Sequence, residues 1–75
     1  MKTLDMSQAT AAAQAGGVLN AILRADGGEF FIELETRTAG IAVLVTSNNR
    51  RPRAFRNPIK ALKPIVASHA RIYKL

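Results

Sequence analysis

Apolar and polar residues alternate with different periods in different parts of the chain. The stretch 8–15 is rich in alanine and glutamine, and with Ser7 as its cap it predicts a first helix. Gly16-Gly17 interrupts the pattern, and we expect one helical region with a bend there, continuing over 18–24. Asp26-Gly27-Gly28 then ends that region. The apolar face of the second helical piece is expected to consist of Val18, Leu19, Ile22 and Leu23.

From Glu29 the period becomes that of a β-strand. One face of this strand is formed by three alternate apolar residues, Phe30, Ile32 and Leu34. The other face is polar, except for Phe31. After a turn at 38–40, the run 41–46 is apolar almost throughout, which predicts a central strand covered on both faces. The two strands form a hairpin, and the asparagine-rich segment 47–49 is the next turn.

A second helix is predicted to start at Asn57-Pro58. Asparagine can cap the free amides of the first turn, and proline at the first helical position loses no hydrogen bond. Pro64 makes this helix short, kinked or split, and Ser68-His69 ends it. Residues 70–75 alternate and contain β-formers, so we expect a last strand that pairs with the hairpin. The inward face of the second helix is expected to carry Ile59, Leu62, Ile65 and Val66.

These elements predict an α+β fold in one domain covering residues 1–75, with residues 1–6 either loose or stapled to the first helix. An antiparallel sheet of three to four strands packs against two short helices in the order α-β-β-(β)-α-β, the optional strand lying at 51–55. One shared core is expected to contain Leu19, Ile22, Phe30, Ile32, Leu34, Val43, Val45, Leu62 and Ile65.

Charge is distributed unevenly along this pattern. The chain carries 11 Lys and Arg residues against 5 Asp and Glu residues, a formal net charge of +6. All the acids lie in the first 35 residues, whereas residues 50–75 contain none. An acid-free basic region is typical of a surface that meets a polyanion, and nucleic acid is the commonest polyanion in a cytoplasm. The alternative is a solvated face that keeps a small protein soluble.

The stretch 50–63 holds the candidate site. In its first half the arginines are interrupted by Pro52, Ala54 and Phe55, which predicts a short extended segment with Arg51 and Arg53 on one side. The lysines are expected on the outer flank of the second helix, and Arg56 and Lys60 one helical turn apart. The predicted nucleic-acid-binding residues are Arg50, Arg51, Arg53, Arg56, Lys60 and Lys63.

Other chemistry is poorly represented in the sequence. With no cysteine, thiolate metal sites and disulfides are excluded, and a lone His69 predicts no metal site. Glu33 and Glu35 share a strand face but lack a downstream acidic partner, and the glycine pairs lack the spacing of a phosphate loop. We therefore expect no enzyme activity and no cofactor. The absence of a long apolar run or leader predicts no membrane association and a cytoplasmic location.

Chain length bears on the oligomeric state. A core built from 75 residues is marginal unless disulfides, a metal or another chain assists it. The strand at 41–45 is apolar on both faces, and two short helices cover little more than one of them. These observations predict a homodimer.

Residues 29–75 resemble a known family. The run FFIEL, a hairpin, AVLVTSNNRRPRAF, a short amphipathic helix and a terminal strand are similar to small partition-associated (ParC-like) proteins encoded beside the partition genes of bacterial plasmids. The matching positions are the Arg-Pro-Arg-x-Phe motif at 51–55 and the helix at 59–66. The departures are Pro64, a missing glycine after the helix, and Gly16-Gly17. The resemblance implies a role in plasmid maintenance.

A weaker likeness is to the arm-binding domain of tyrosine recombinases, in which a basic three-stranded sheet ending in Arg-x-Phe precedes a helix. It implies that the sheet enters the major groove of DNA.

Two functions remain in competition. The first is an accessory protein of plasmid maintenance or transcriptional control that binds duplex DNA through its Arg and Lys side chains. The second is a protein-interaction module, antitoxin-like or a partner of a partition ATPase, that uses the same basic face on an acidic protein. Only the first requires binding to DNA that weakens steeply with salt.

Overall fold

The computed structural model describes residues 2–66 and 71–74. Within them the chain forms a six-stranded sheet and two helices, so the predicted α+β class is confirmed. The elements in order are β1 (Lys2–Leu4), α1 (Met6–Gln14), β2 (Val18–Asp26), β3 (Glu29–Thr36), β4 (Gly40–Leu44), β5 (Ala54–Phe55), α2 (Pro58–Leu62) and β6 (Arg71–Lys74).

The N-cap of the first helix lies two residues earlier than the sequence predicts. Asp5 is the N-cap, and its carboxylate accepts a hydrogen bond of 2.8 Å from the backbone N–H of Gln8. The Gln8 side chain accepts one of 3.0 Å from the Asp5 N–H, which completes a capping box. Ser7 lies inside the helix, so its prediction as the cap is wrong.

The double glycine ends α1 rather than bending it. Gly16 has a φ of +77°, and its N–H donates to the carbonyl of Ala13, while the Gly17 N–H donates to that of Ala12. These two bonds are those of a Schellman motif, which satisfies the last carbonyls of a helix. The chain therefore leaves the helix at this point.

The prediction of a helix over 18–24 is wrong, because these residues belong to β2. Gly27 and Gly28 both have positive φ, which is the geometry of a type I′ turn, and Asp26 pairs with Glu29 across it. A tight hairpin of β2 and β3 is the result. The register shifts between Val18 and Asn20, and this irregularity breaks the strict alternation that identifies a strand in sequence.

Over the described residues the sheet is mixed and has six strands, so the prediction of a purely antiparallel sheet of three to four strands is wrong. Its strand order is β1-β4-β3-β2-β6, with β5 paired to β3 beyond the end of β4. The central pairs are antiparallel, whereas β1 runs parallel to β4 and β6 runs parallel to β2. A last strand is thus confirmed over Arg71–Lys74, but it pairs with β2 and not with the β3-β4 hairpin. The optional strand is confirmed as the short β5.

Both helices pack on one face of the sheet, which we call the inner face. The core cluster joins Ala9 and Ala13 of α1 to strand residues and to Leu62 and Ile65 in and after α2. Of the predicted core, five residues are buried: Ile32, Leu34, Val45, Leu62 and Ile65. Four are only half-buried: Leu19, Ile22, Phe30 and Val43. Core residues that the pattern does not predict are Ala9, Ala13, Ala21, Leu23, Ala42, Leu44 and Phe55.

The half-buried residues have separate explanations. Phe30 packs against the core cluster from its edge. Ile22 and Val43 alternate with Ala21, Leu23, Ala42 and Leu44, which are the residues that face inward, so they lie on the opposite side of the sheet. Leu19 falls at the register shift of β2.

The second helix is short, as Pro64 predicts, and Pro58 occupies its first turn. Asn57 precedes it, yet its side chain makes no capping hydrogen bond, so that part of the prediction is wrong. Leu62 and Ile65 face the core, whereas Ile59 is 45% exposed and does not belong to the inward face. The predicted end at 68–69 lies outside the described residues.

Neither helix in the described part of the chain is long enough and apolar enough to span a membrane.

Candidate nucleic-acid interface

The stretch 50–63, which we call the basic segment, begins in the loop between the two strands that pair with the same edge of β3. Strands β4 and β5 pair with successive parts of β3 in the same direction, and residues 45–53 make an excursion between them. A bridge between Val45 and Pro52 closes the base of this loop. The Thr46 N–H donates to the Arg51 carbonyl at 2.9 Å, and the Arg53 N–H donates to the Leu44 carbonyl at 3.0 Å. Backbone hydrogen bonds thus fix the shape of the loop.

Arg50 is tied to the N-terminal segment. Its guanidinium Nη2 donates to the carbonyl and hydroxyl of Thr3 and to Oε1 of Gln8, at 2.9 to 3.2 Å. Its Nη1 lies 3.9 Å from the Asp5 carboxylate. With φ at +53°, Arg50 also has a left-handed backbone, which is uncommon for residues other than glycine. Through these contacts Arg50 holds the loop against β1 and α1.

Arg51 and Arg53 follow with exposed side chains. The guanidinium of Arg53 lies 5.1 Å from the centre of the Phe55 ring, a cation–π distance. Phe55 is buried in the core cluster and only 9% exposed, so it provides a fixed platform for the arginine. This contact positions the Arg53 charge at the surface above the β5 edge.

Arg56, Lys60 and Lys63 continue the basic segment past β5, and all three are exposed. Lys60 lies in α2 and Lys63 at its C-cap, three residues apart and therefore neighbours on the helix surface. The prediction that both lysines occupy the outer flank is confirmed. Arg56 precedes the N-cap, so the helical spacing predicted between it and Lys60 does not apply.

Ion pairing leaves most of these cations uncompensated. Within residues 2–66 and 71–74, the salt bridges are Arg24–Glu33, at 2.6 Å, and the longer Arg50–Asp5 contact. None involves the other five cations of the predicted site, a set that we call the basic surface: Arg51, Arg53, Arg56, Lys60 and Lys63. The basic surface therefore presents net positive charge to solvent.

The acids of β3 project from the opposite side of the sheet. The Glu33 carboxylate accepts a hydrogen bond from Nε of Arg24, and Glu35 accepts one of 2.6 Å from the Asn20 amide. Arg37, the next basic residue after β3, donates from its Nε to the Gly16 carbonyl. Carboxylates and the lysines of α2 are thus separated by the sheet.

The loop also exposes polar residues that charge counting misses. Ser47, Asn48 and Asn49 are exposed beside the arginines, and Asn49 Oδ1 accepts a hydrogen bond from the Thr46 hydroxyl. Asparagine amides can bond base edges as well as phosphates. The signal in sequence is the run Asn48-Asn49-Arg50-Arg51, which places amides next to guanidinium groups.

Metal ligands are not clustered in the described ranges, where no three His, Cys, Asp or Glu side chains come together. His69 lies outside those ranges.

The chain matches no protein-family model, no curated protein and no solved structure.

Proposed function

We propose that this protein is a nucleic-acid-binding accessory protein that attaches to duplex DNA through the basic surface. The observation that carries the proposal is the set of five exposed cations without an ion-pair partner among the described residues. They lie within 13 consecutive residues that contain no acid. Such cations can displace the counterions condensed on DNA, which is the main source of non-specific affinity.

Duplex DNA is a better ligand than a single strand. Proteins that hold single strands stack bases on exposed aromatic rings. Phe55, the aromatic residue within the basic segment, is buried in the core cluster and already faces Arg53. Phosphate contact by arginine and lysine remains available, and Asn48 and Arg51 in the loop can extend toward base edges.

The biological role that we propose is plasmid maintenance or partition, with the protein acting as a homodimer and a partition protein as a further partner. This role is supported by the Arg-Pro-Arg-x-Phe motif at 51–55 and the helix that follows it. Deletion of the gene should make a low-copy plasmid be lost faster, and restoring the gene should restore plasmid retention.

Fluorescence anisotropy of a labelled random-sequence duplex, repeated over a series of salt concentrations, tests the binding proposal. If all five cations contact phosphates, the logarithm of the association constant should fall with the logarithm of salt with a slope of about −4 to −5. Polyglutamate serves as the acidic competitor. Absence of DNA binding at low salt overturns the proposal, and binding to polyglutamate alone favours an acidic protein as the partner.

A further inference from the structure

The sheet has a second face, which carries neither helix in the described part of the chain. We call it the outer face. Strand register arranges its side chains in four rows. The middle row crosses five strands as Thr3, Val43, Glu33, Ile22 and Tyr73. The flanking rows are Ile41, Glu35, Asn20 and Arg71, and Arg24, Phe31 and Ala54. A short last row beside the β2-β3 turn holds Asp26 and Glu29.

Apolar side chains occupy much of this face and are incompletely covered. Ile22, Phe31, Ile41 and Val43 are half-buried, and Tyr73 is 47% exposed. Two shallow grooves lie among them. The larger, about 600 Å³, is lined by residues that include Phe31, Val43 and Pro52, and the smaller, about 390 Å³, is lined by residues that include Ile22 and Tyr73. Contiguous apolar surface with such relief is typical of an interaction site.

Charge distinguishes the outer face from the rest of the molecule. The four rows contain four carboxylates, Asp26, Glu29, Glu33 and Glu35, and two guanidinium groups, Arg24 and Arg71, so their formal charges sum to −2. The whole chain, by contrast, has a net charge of +6. Two copies that approach through their outer faces consequently avoid the repulsion that their basic surfaces would cause.

We propose that the outer face binds the outer face of a second copy of the chain. A twofold axis makes such an interface self-complementary, so carboxylates of one copy can meet guanidinium groups of the other. Five strands about 4.8 Å apart and about six residues long give the face an area on the order of 500 Å². The pair would bury about 1,000 Å², which is the lower end for a specific interface, so the dimer should dissociate on dilution.

Other occupants fit this face less well. The four carboxylates repel a polyanion, and a net charge of −2 offers little attraction to a strongly charged protein of either sign. A second copy of the chain does not require such a charge attraction. The inference takes its partner from the homodimer proposed above and does not depend on DNA binding. It keeps the lysines of α2 away from the interface, because α2 packs on the inner face.

A matched pair of substitutions tests the interface. Ile22→Lys puts a charge in the middle row of the outer face, and Ile59→Lys makes the same change at an exposed position of α2. Sedimentation velocity over a concentration series should show dimerisation of the parent and of Ile59→Lys. The dissociation constant of Ile22→Lys should rise about tenfold or more, because the interface would remove its ammonium from water.

A second measurement covers the case in which Ile22→Lys fails to fold. The chain has no cysteine, so Glu33→Cys, at the centre of the middle row, and Ile59→Cys each carry a single thiol. Oxidation should crosslink Glu33→Cys into dimers much faster than Ile59→Cys if the outer faces meet about a central twofold axis. A parent that stays monomeric at high concentration, or equal behaviour of the two members of each pair, overturns the inference.

DNA anisotropy on the same samples separates the two proposals. Dimerisation through the outer face without DNA binding removes the DNA-binding proposal and keeps the interface, whereas DNA binding by a monomeric parent removes the interface together with the proposed homodimer.

Discussion

The two faces of the sheet are built from the same strands yet have opposite surroundings. On the inner face, Ala21, Leu34 and Ala42 form a row that is at most 1% exposed beneath the helices. One residue along each strand, the outer row of Ile22, Glu33 and Val43 is half-buried and carries a charge. A strand that alternates in this way can supply stability from one face and leave the other free for recognition.

The comparison extends to charge. The outer face has a formal charge of −2, whereas the basic surface lies along β5 and α2. A weakly charged, partly apolar surface suits association with another protein, and uncompensated cations suit a polyanion. The two surfaces can therefore be perturbed independently.

The largest expected effect comes from the inner face. Leu34 is fully buried in the core cluster, so Leu34→Ala should lower the free energy of unfolding by about 2 to 5 kcal/mol through lost burial and a residual cavity. The matched change on the outer face, Val43→Ala, should cost clearly less in the monomer. Chemical denaturation of both variants at low protein concentration measures the difference, and equal losses would contradict the assignment of the two faces.

A smaller effect is expected at the turn that sets the register of β2 and β3. Gly28 has a φ of +83°, which a β-branched residue tolerates poorly. Gly28→Val should lower the free energy of unfolding by about 1 to 2 kcal/mol. Gly28→Asn, the control, should lose less because asparagine adopts left-handed angles more readily. Thermal unfolding in which valine and asparagine behave alike would argue against the type I′ turn.

The smallest expected effects on stability distinguish two neighbouring arginines, Arg50 and Arg51. Arg50→Ala removes hydrogen bonds to Thr3 and Gln8 and should cost about 1 kcal/mol. Arg51→Ala removes an exposed side chain and should leave stability within about 0.5 kcal/mol. Denaturation of the two variants side by side gives the comparison. A larger loss for Arg51→Ala would reverse the assignment.

Several elements follow from local sequence alone. The strand β3 alternates except at Phe31, Pro58 marks the start of α2, and the acid-free run at 50–63 identifies the basic surface. The strand at 18–24 does not follow from local sequence. Val18, Leu19, Ile22 and Leu23 fit a helical spacing, and a register shift in β2 disrupts the alternation of a strand. Its informative signal is the Asp26-Gly27-Gly28 turn, which is typical of a hairpin.

Long-range contacts account for the other differences. β4 is apolar on both faces, so its sequence does not decide that Ala42 and Leu44 face the helices while Val43 faces away. β1 has three residues, too few for a period, and is fixed by pairing with β4. Arg50 looks like its neighbours in sequence, and its contact with Thr3 joins residues 47 positions apart.

The most direct test of the account is the salt dependence of DNA binding by two double variants that each lose two cations. Arg51→Ala/Arg53→Ala removes charge from the basic surface, and Lys2→Ala/Arg37→Ala removes the same charge from exposed positions outside it. Circular dichroism confirms folding, since Arg53 also contacts Phe55. The first variant should flatten the slope of the logarithm of the association constant against that of salt by about two units, and the second should leave it nearly unchanged. Equal slopes for the two variants would contradict the claim that the basic surface binds DNA.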